Sequence, residues 1–498
     1  MNAATLQYVR QHADDDPRQL ALRGSKDPEV DIVMALQQIQ GRQTARRKMP
    51  SWAALDDIVY PPHLNMEQCS SEQTARYKAA VARRLSAPQS GMGVVSSPQL
   101  GGQEGMGVVS SPQLGGQEGG FIDLTGGLGV DFCFMSRAFS RAVYVERNAD
   151  LCALATDNFR TLGLQVETVC GDGISFFRSF TDPIDMVFID PARRDDHGGR
   201  TYDIADCTPD VLSIKDELLA KARTVVLKLS PMLDWRKAVS DLGAERVSEV
   251  HIVAVGGECK ELLIVMQRPP HRRPLRVVCV NDNSVWVARS VSQTARSVSQ
   301  TARSVSQTTR SASQTAQPAS PPASPPAPQT PQPDTPFETP KEHDSDAFCP
   351  KTDAILPQNG MRFGAKRDAF CPKTENECVG MTLLEPNAAA MKSGLFNLLA
   401  DDFNLFQLAP NSHLFVSNNP IGRFPGRQFR IVGVTTMNKR ELRRHLGDMK
   451  QANITVRNFP LTVAQLRQRL KLSEGGSNYL FATTLANGNH VLVICSKP

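Results

Sequence analysis

The chain has 498 residues, 40% of them hydrophobic, a formal net charge of +5 and eleven cysteines. That length calls for two or three folded units. No apolar run approaches the roughly 20 residues that a bilayer demands, which excludes a membrane-spanning helix. The cysteines are scattered, odd in number and without a CxxC pair, so reduced thiols in a cytoplasm are expected, with neither a disulfide framework nor a zinc or other metal site. The N-terminus, MNAATLQYVRQHADDDPRQ, has no apolar core behind a basic start and does not read as a signal peptide.

Residues 1–90 read as a helical region. Asp27-Pro28 opens an apolar-periodic run through Val30, Val33, Met34 and Ile39, which Gly41 closes. Ser70 and Gln73 form a capping box before a second helix that carries Ala75, Ala79, Ala82 and Leu85. GMGVVSSPQLGGQE then occurs at 91–104 and, unchanged, at 105–118, so 91–119 reads as a flexible insert.

From 120 to 275 short β-rich runs alternate with helical stretches. FIDLT, AVYVE, VETVCGD, IDMVFID, TVVLKL, EVHIVAV and ELLIVMQ give seven strands, the pattern of a parallel α/β sheet covered on both faces. Only GGECK joins the last two, too short for a crossover, so they form an antiparallel hairpin. Residues 276–287 follow, and then a second insert, 288–379. There ARSVSQT repeats from 288 to 315 with one apolar position per repeat, too few for a coiled-coil seam, and a proline-rich run comes after it. DAFCPKT stands at both 346–352 and 368–374.

In an open α/β sheet ligands sit at the carboxyl ends of the strands. Strand one ends in Asp123, followed by Thr125, Gly126, Gly127 and Gly129, where glycines let a ligand approach the backbone. Strand two ends at Glu146, placed to take the hydroxyls of a ribose. Strand three ends in Gly171-Asp172, an acceptor for an adenine amino group, and strand four in Asp190-Pro191. A dinucleotide site would want GxGxxG; the spacing here is GGxG, and such a domain lacks the terminal hairpin.

These four strand ends and the hairpin resemble a class I S-adenosylmethionine-dependent methyltransferase. FIDLTGGLGVDFCFMSRAF, IDPARR, VVLKLSPMLD, LEPNAAAMKSG, NSHLFVSN, FPGRQF and the run from Ala452 to Leu485 extend the resemblance to a bacterial family of that class. Its members carry a ferredoxin-like segment and a C-terminal THUMP-like domain. The resemblance implies a seven-stranded Rossmann-like methyltransferase domain at 120–275, a ferredoxin-like segment made of 276–287 and 380–435, and a small α+β THUMP-like domain at 436–498. It implies S-adenosyl-L-methionine as cofactor, bound by Asp123, Thr125, Gly126, Gly127, Gly129, Glu146, Asp172 and Asp190. THUMP domains bind RNA, and the resemblance points the same way.

The charge distribution agrees. Twelve lysines and arginines stand against Glu441 and Asp448 between 423 and 471, giving 12 − 2 = +10, a field that attracts phosphates. The order expected there is a helix at 438–449, a strand at 453–457, a helix at 461–471 and a hairpin turning at Asn487-Gly488. Structured RNA, tRNA or rRNA, is the expected partner, with Arg440, Arg443, Arg444 and Arg457, together with Arg193 and Arg194 beside strand four, as its contacts. A small-molecule or protein methyltransferase with an incidental basic domain, and a non-catalytic RNA-binding protein on this fold, are the alternatives.

IDPARR departs from the [DNS]PP[YF] of exocyclic-amine methyltransferases, with Ala192 for the second proline and Arg193 for the aromatic. Uracil C5 chemistry wants a cysteine after strand five, where Lys228-Leu229-Ser230-Pro231 stands. A better fit is the Lys-Asp-Lys-Glu tetrad of ribose 2′-O-methyltransferases, assigned here to Lys78, Asp190, Lys228 and Glu249, with Glu258 and Glu261 as rivals for Glu249. Two clustered ammonium groups would lower one lysine's pKa toward general-base duty. Cys207, in the loop YDIADCTPD, is a further residue able to face the site, although a lone cysteine is more often passive.

Overall fold

A computed structural model describes residues 1–87, 120–193, 203–269, 274–289, 375–409, 411–485 and 487–497. The first insert and residues 290–374 of the second lie outside these residues, and so does Arg194.

The N-terminal region is helical: α1 (Ala3–Gln11), α2 (Pro17–Arg23), α3 (Ile32–Lys48), α4 (Pro50–Ala53), α5 (His63–Gln68) and α6 (Glu72–Ser86). Their starts are set by side chains that take up orphan N–H groups. Asn2, Asp16 and Asp31 cap α1, α2 and α3, with Pro17 in the first turn of α2. Two expected boundaries move. Gly41 does not end its helix but lies within α3, because a Cβ there would stand 2.3 Å from the Cβ of Tyr60. Ser71, not Ser70, caps α6 through Thr74 N, which frees the Ser70 hydroxyl to turn inward.

All seven expected strands form, within one larger sheet. They are β1 (Gly120–Asp123), β2 (Arg141–Glu146), β3 (Glu167–Cys170), β4 (Ile184–Ile189), β7 (Ala222–Leu229), β8 (Val247–Val255) and β9 (Glu258–Gln267). A short ladder of β5 (Ala192–Arg193) on β6 (Cys207–Thr208) lies between β4 and β7 in sequence. The order is β11-β10-β8-β9-β7-β4-β1-β2-β3, where β10 (Arg276–Asn281) and β11 (Ser284–Arg289) are a further hairpin paired to β8. Residues 276–287, grouped with the ferredoxin-like segment on the sequence, are thus the edge of this sheet. Strands β1 to β4, β7, β8 and β10 run parallel; β9 is reversed and wedged between β7 and β8, and β11 is reversed at the edge.

Two cores flank the sheet. On one face α3 to α6, α7 (Val130–Met135) and α8 (Ala149–Thr161) bury Trp52, Tyr60, Phe132 and Phe159 against Phe121, Tyr144 and Phe188. Each such side chain contributes roughly 1.5–3 kcal/mol. On the other face lie α9 (Gly173–Ser179), α10 (Val211–Lys221) and α11 (Trp235–Leu242). The C-terminal part joins this second core directly. Its α12 (Ala388–Ser393) inserts Ala389 and Ala390, α13 (Phe396–Phe403) inserts Leu399, and Leu384 and Phe415 complete the contact.

A second, seven-stranded sheet, β13-β14-β12-β15-β18-β17-β16, gathers the rest: β12 (Thr382–Pro386), β13 (Phe406–Gln407), β14 (Phe415–Ser417), β15 (Gly426–Thr436), β16 (Asn453–Arg457), β17 (Asn478–Thr484) and β18 (His490–Ser496). The expected helices appear as α14 (Lys439–Leu446) and α15 (Val463–Leu470), and β17 and β18 are antiparallel about the Asn487-Gly488 turn.

Candidate functional site

Because β1, β2, β3, β4 and β7 are parallel, Asp123, Glu146, Asp172, Asp190 and Lys228 all reach the same edge of the sheet. The glycine turn after β1 is held by this edge. Thr125 N donates to Asp123 Oδ1 at 3.0 Å, Gly127 N to Glu146 Oε2 at 2.8 Å, and Asp190 N to Thr125 Oγ1 at 2.6 Å. Tyr144 Oη donates to the Gly127 carbonyl. Gly126 must be glycine, since a Cβ would meet the Tyr144 ring at 2.1 Å, and Gly129 takes φ of +82° at the start of α7. Asp172 caps α9, accepting from Ser175 N and Oγ at 2.8 Å each, and these bonds hold its carboxyl below the ordinary value.

Asp123 is buried, and burial, reinforced by the nearby Asp131, Asp190 and Glu146, pushes its carboxyl well above the usual carboxylate range. Acids set around a glycine turn suit a cationic ligand. An adenosyl sulfonium that also carries an ammonium group fits this donor set: acids for the cations, Glu146 for ribose hydroxyls, and a backbone bare of Cβ atoms against which it can lie.

Beside the turn lies a buried network of alternating charge. Lys228 Nζ is 2.6 Å from Asp190 Oδ2 and 3.7 Å from Asp131 Oδ2. Lys78 Nζ, wholly buried, is 3.1 Å from Asp131 Oδ1 and 2.6 and 2.7 Å from the two oxygens of Glu261. Ser70 Oγ donates to Asp131 Oδ2 at 2.7 Å and accepts from Lys78 at 3.2 Å. Three acids thus surround two lysines. The Lys228 amine loses solvation on burial, but Asp190 and Asp131 outweigh that and raise it above the ordinary lysine value. This corrects the expected depression of a lysine pKa: the two ammonium groups do not face each other, because Asp131 stands between them. Burial likewise opposes the Asp131 charge, yet Lys78 and Lys228 keep its carboxyl below its usual value, whereas burial leaves Glu261 raised.

Of the four tetrad positions, Lys78, Asp190 and Lys228 come together and Glu249 does not. Glu249 begins β8 and so lies toward the opposite end of the sheet, where it pairs with Arg84, with Arg276 at 2.8 Å and with His251 at 2.9 Å. Glu261 takes its place because β9 is reversed: it starts at the ligand edge, and in the β7–β9 register Lys228 faces Leu263, two residues on. Sequence reading misses Asp131, and takes Ser70 for a helix cap and not for a residue of this network. The signal for Asp131 was an acid in the first helical turn after the glycines, and for Ser70 a hydroxyl left over once Ser71 caps α6.

The basic residues divide. Arg440, Arg443 and Arg444 are exposed on α14, which buries no residue. Arg457 is instead held by the buried Glu385 at 3.1 Å, and Glu385 also binds Arg427 at 2.5 Å, so its charge is largely spent within the fold. Arg193 lies in β5. Cys207 is buried in β6, with its Sγ 3.9 Å from the Asp203 carbonyl. Among the described residues no group of His, Cys, Asp and Glu is arranged to hold a metal, and no helix is long and apolar enough to cross a membrane.

Residues 383–425 match the family described as a ferredoxin-like domain, and residues 426–497 the family described as THUMP domain-like. Among curated proteins no relative matches the chain. Of solved structures, a candidate methyltransferase of Porphyromonas gingivalis W83 is 25% identical, with 99% of this chain and 97% of that one covered and a TM-score of 0.67. A candidate class I S-adenosylmethionine-dependent methyltransferase of Listeria monocytogenes is 11% identical over 57% of this chain and 94% of its own, with a TM-score of 0.28. A candidate methyltransferase of Streptococcus mutans, solved with S-adenosylhomocysteine, is 14% identical over 30% of this chain and 89% of its own, with a TM-score of 0.24. Only the first of these scores is high enough to carry weight, and it spans the chain from end to end. Strand order and the end-to-end likeness agree on the fold of class I methyltransferases, and the C-terminal part carries a ferredoxin-like segment followed by a THUMP-like domain.

Proposed function

We propose that the protein is an S-adenosylmethionine-dependent methyltransferase of structured RNA, and that it acts at a ribose 2′-oxygen. The observation that carries the reading is the meeting of Lys78, Asp190 and Lys228 at the edge where Asp123, Glu146 and the glycine turn form a cation-seeking pocket. When bound there, the cofactor supplies a methyl group already activated by its sulfonium. Asp123, Thr125, Gly126, Gly127, Gly129, Glu146 and Asp172 hold it. The protein's remaining task is to align an oxygen nucleophile.

Asp190 is the group for that task. Its side chain is more than a third exposed, whereas Lys228 is nearly covered and Lys78 fully so. Asp190 accepts the hydrogen of the incoming hydroxyl, and Lys228 fixes the carboxylate and steadies negative charge as the proton leaves. Lys78, Asp131 and Glu261 act through Lys228 and are positioning residues. The exposed arginines of α14 present RNA to this edge through its phosphates.

Two measurements test the reading. Calorimetric titration with S-adenosylmethionine should show binding that Asp123→Ala or Glu146→Ala abolishes. Mass spectrometry of total RNA nucleosides, from cells with and without the gene, should reveal one lost 2′-O-methylated nucleoside. An unchanged nucleoside profile, with the cofactor bound, would instead favour a small-molecule or protein substrate.

A further inference from the structure

The carboxyl edge of β7 carries a second feature that the methyl-transfer reading leaves unused. The chain leaves Lys228, turns through Ser230–Leu233 with Leu233 N on the Ser230 carbonyl at 3.1 Å, and enters α11 at Asp234, whose Oδ1 accepts from Arg236 N. Trp235 is buried, and its Nε1 donates to the carbonyl of Ser393, in the last turn of α12, at 3.1 Å. The ferredoxin-like segment is therefore fastened to the rim of the candidate active site.

At this junction each side contributes a cation. The guanidinium of Arg236 lies over the Trp235 ring, 4.5 Å from its centroid, and against Gly394, where a Cβ would stand 3.2 and 3.3 Å from its two terminal nitrogens. Lys392 is half-buried one residue before Ser393; it feels the Cys259 thiol, whose Sγ is 3.4 Å from the Ala388 carbonyl. Asp234 influences both, but its carboxylate is committed to the backbone of α11. Among the described residues neither cation forms an ion pair, although the neighbouring Lys237 binds Asp203 at 2.8 Å and Asp241 at 2.7 Å. Partial desolvation pulls both below their ordinary values, while Arg236 stays exposed at the surface and so within reach of an anion.

We infer that Arg236 and Lys392 form a split phosphate clamp that seats one backbone phosphate of the RNA beside the nucleotide presented to Asp190. The inference rests on the RNA reading above. Its chemistry is specific: a planar guanidinium, stacked on an indole and backed by Gly394, offers a fork of donors to phosphate, and Lys392 adds a point charge. Since one cation comes from the methyltransferase domain and the other from the ferredoxin-like segment, the clamp is complete only when both are docked.

The test uses the full chain and a fluorescein-labelled RNA hairpin, with anisotropy followed against potassium chloride. Arg236→Gln with Lys392→Gln should weaken binding about tenfold and reduce the slope of log affinity on log salt by about 1, the loss of one phosphate contact. The charge-preserving pair Arg236→Lys with Lys392→Arg should recover most of the affinity. A folded double variant with unchanged affinity and slope overturns the clamp. If that double variant does not fold, Lys392→Gln alone gives the reading, and an unchanged slope there overturns it equally. The two proposals fail separately: if the wild-type chain binds no RNA, the RNA reading falls and takes the clamp with it; if RNA is bound and is lost on replacing Arg440, Arg443 and Arg444 by Gln but not on replacing the pair, only the clamp falls.

Discussion

Lys78, on the helix that precedes the glycine turn, closes on Glu261 of β9 through contacts of 2.6 and 2.7 Å, across 183 residues of sequence. Both side chains are almost wholly shielded from solvent, so neither charge is tolerable alone. Removing Lys78 strands Glu261, and removing Glu261 leaves Lys78 with Asp131 and Ser70 alone. Glu261→Gln is expected to destabilise the fold by about 3–5 kcal/mol and to loosen Lys228 through Asp131. Denaturant unfolding measures the first effect. Steady-state turnover of the folded fraction measures the second, as a fall in kcat without a matching change in KM. Glu249→Gln should cost stability as well but leave kcat of the folded fraction in place; a selective loss of kcat there would restore Glu249 to the site.

Lys228→Ala should lower methyl transfer by a factor of about 10² to 10³, the range for loss of a group that steadies developing negative charge. Cofactor binding should persist, since no contact between Lys228 and the glycine turn exists among the described residues. Single-turnover kinetics beside calorimetry separates the two. Full activity in this variant removes the tetrad from consideration.

The difference between Glu249 and Glu261 shows where the sequence stopped being readable. Strands and their terminal acids were legible because each of the first four β-rich runs ends in an acid beside turn residues, and the hairpin followed from a five-residue connection. What no local pattern reveals is insertion order. GGECK requires β8 and β9 to be antiparallel, but not that β9 enters between β7 and β8, and that choice decides which glutamate approaches Lys228. Arg457 is a similar case. Its place in a basic run was visible, but Glu385, in a distant strand, was not. The outer strand pair at 276–289 was not missed for shortness, since its strands have six residues, as many as β2 and β4; the stretch was assigned by resemblance to the ferredoxin-like segment.

Gly126→Ala should cost about 1–3 kcal/mol by overpacking, because the new methyl has to displace the Tyr144 ring. The same ring holds the Gly127 carbonyl, so cofactor affinity should fall together with stability. Thermal melting with and without S-adenosylmethionine checks both: a variant whose melting temperature still rises with the ligand as the wild type's does would contradict this.

His251 gives a pH dependence whose sign is fixed. It is buried between Glu249, 2.9 Å from Nε2, and the Tyr77 hydroxyl, 2.7 Å from Nδ1. The Glu249 carboxylate, held low despite its burial by His251 and Arg84, only accepts, so the ring proton sits on Nε2 and Tyr77 donates to Nδ1. Burial lowers the imidazole below its ordinary value of 6.5, with Glu249 opposing in part. The unfolded chain therefore binds the proton first on acidification. Stability is fully present above about pH 6.5 and declines below it, by at most about 1.4 kcal/mol per pH unit from this group. Urea titrations between pH 7 and pH 5 should show that slope in the wild type and a flatter one in His251→Gln.

The core that Ala389, Ala390 and Leu399 share with the underside of the large sheet has a consequence for how targets are chosen. A tethered module would search a volume, and any accessible site within its reach would be modified. Here the arginine-bearing helix follows a strand of the sheet welded into that core, so on the proposed RNA reading whatever it grips is delivered at one span and one angle. On that reading the molecule would work as a calliper: selection would follow from the architecture of the substrate between grip and target atom, and a change of a single helical step in that substrate should matter more than the letters surrounding the modified residue.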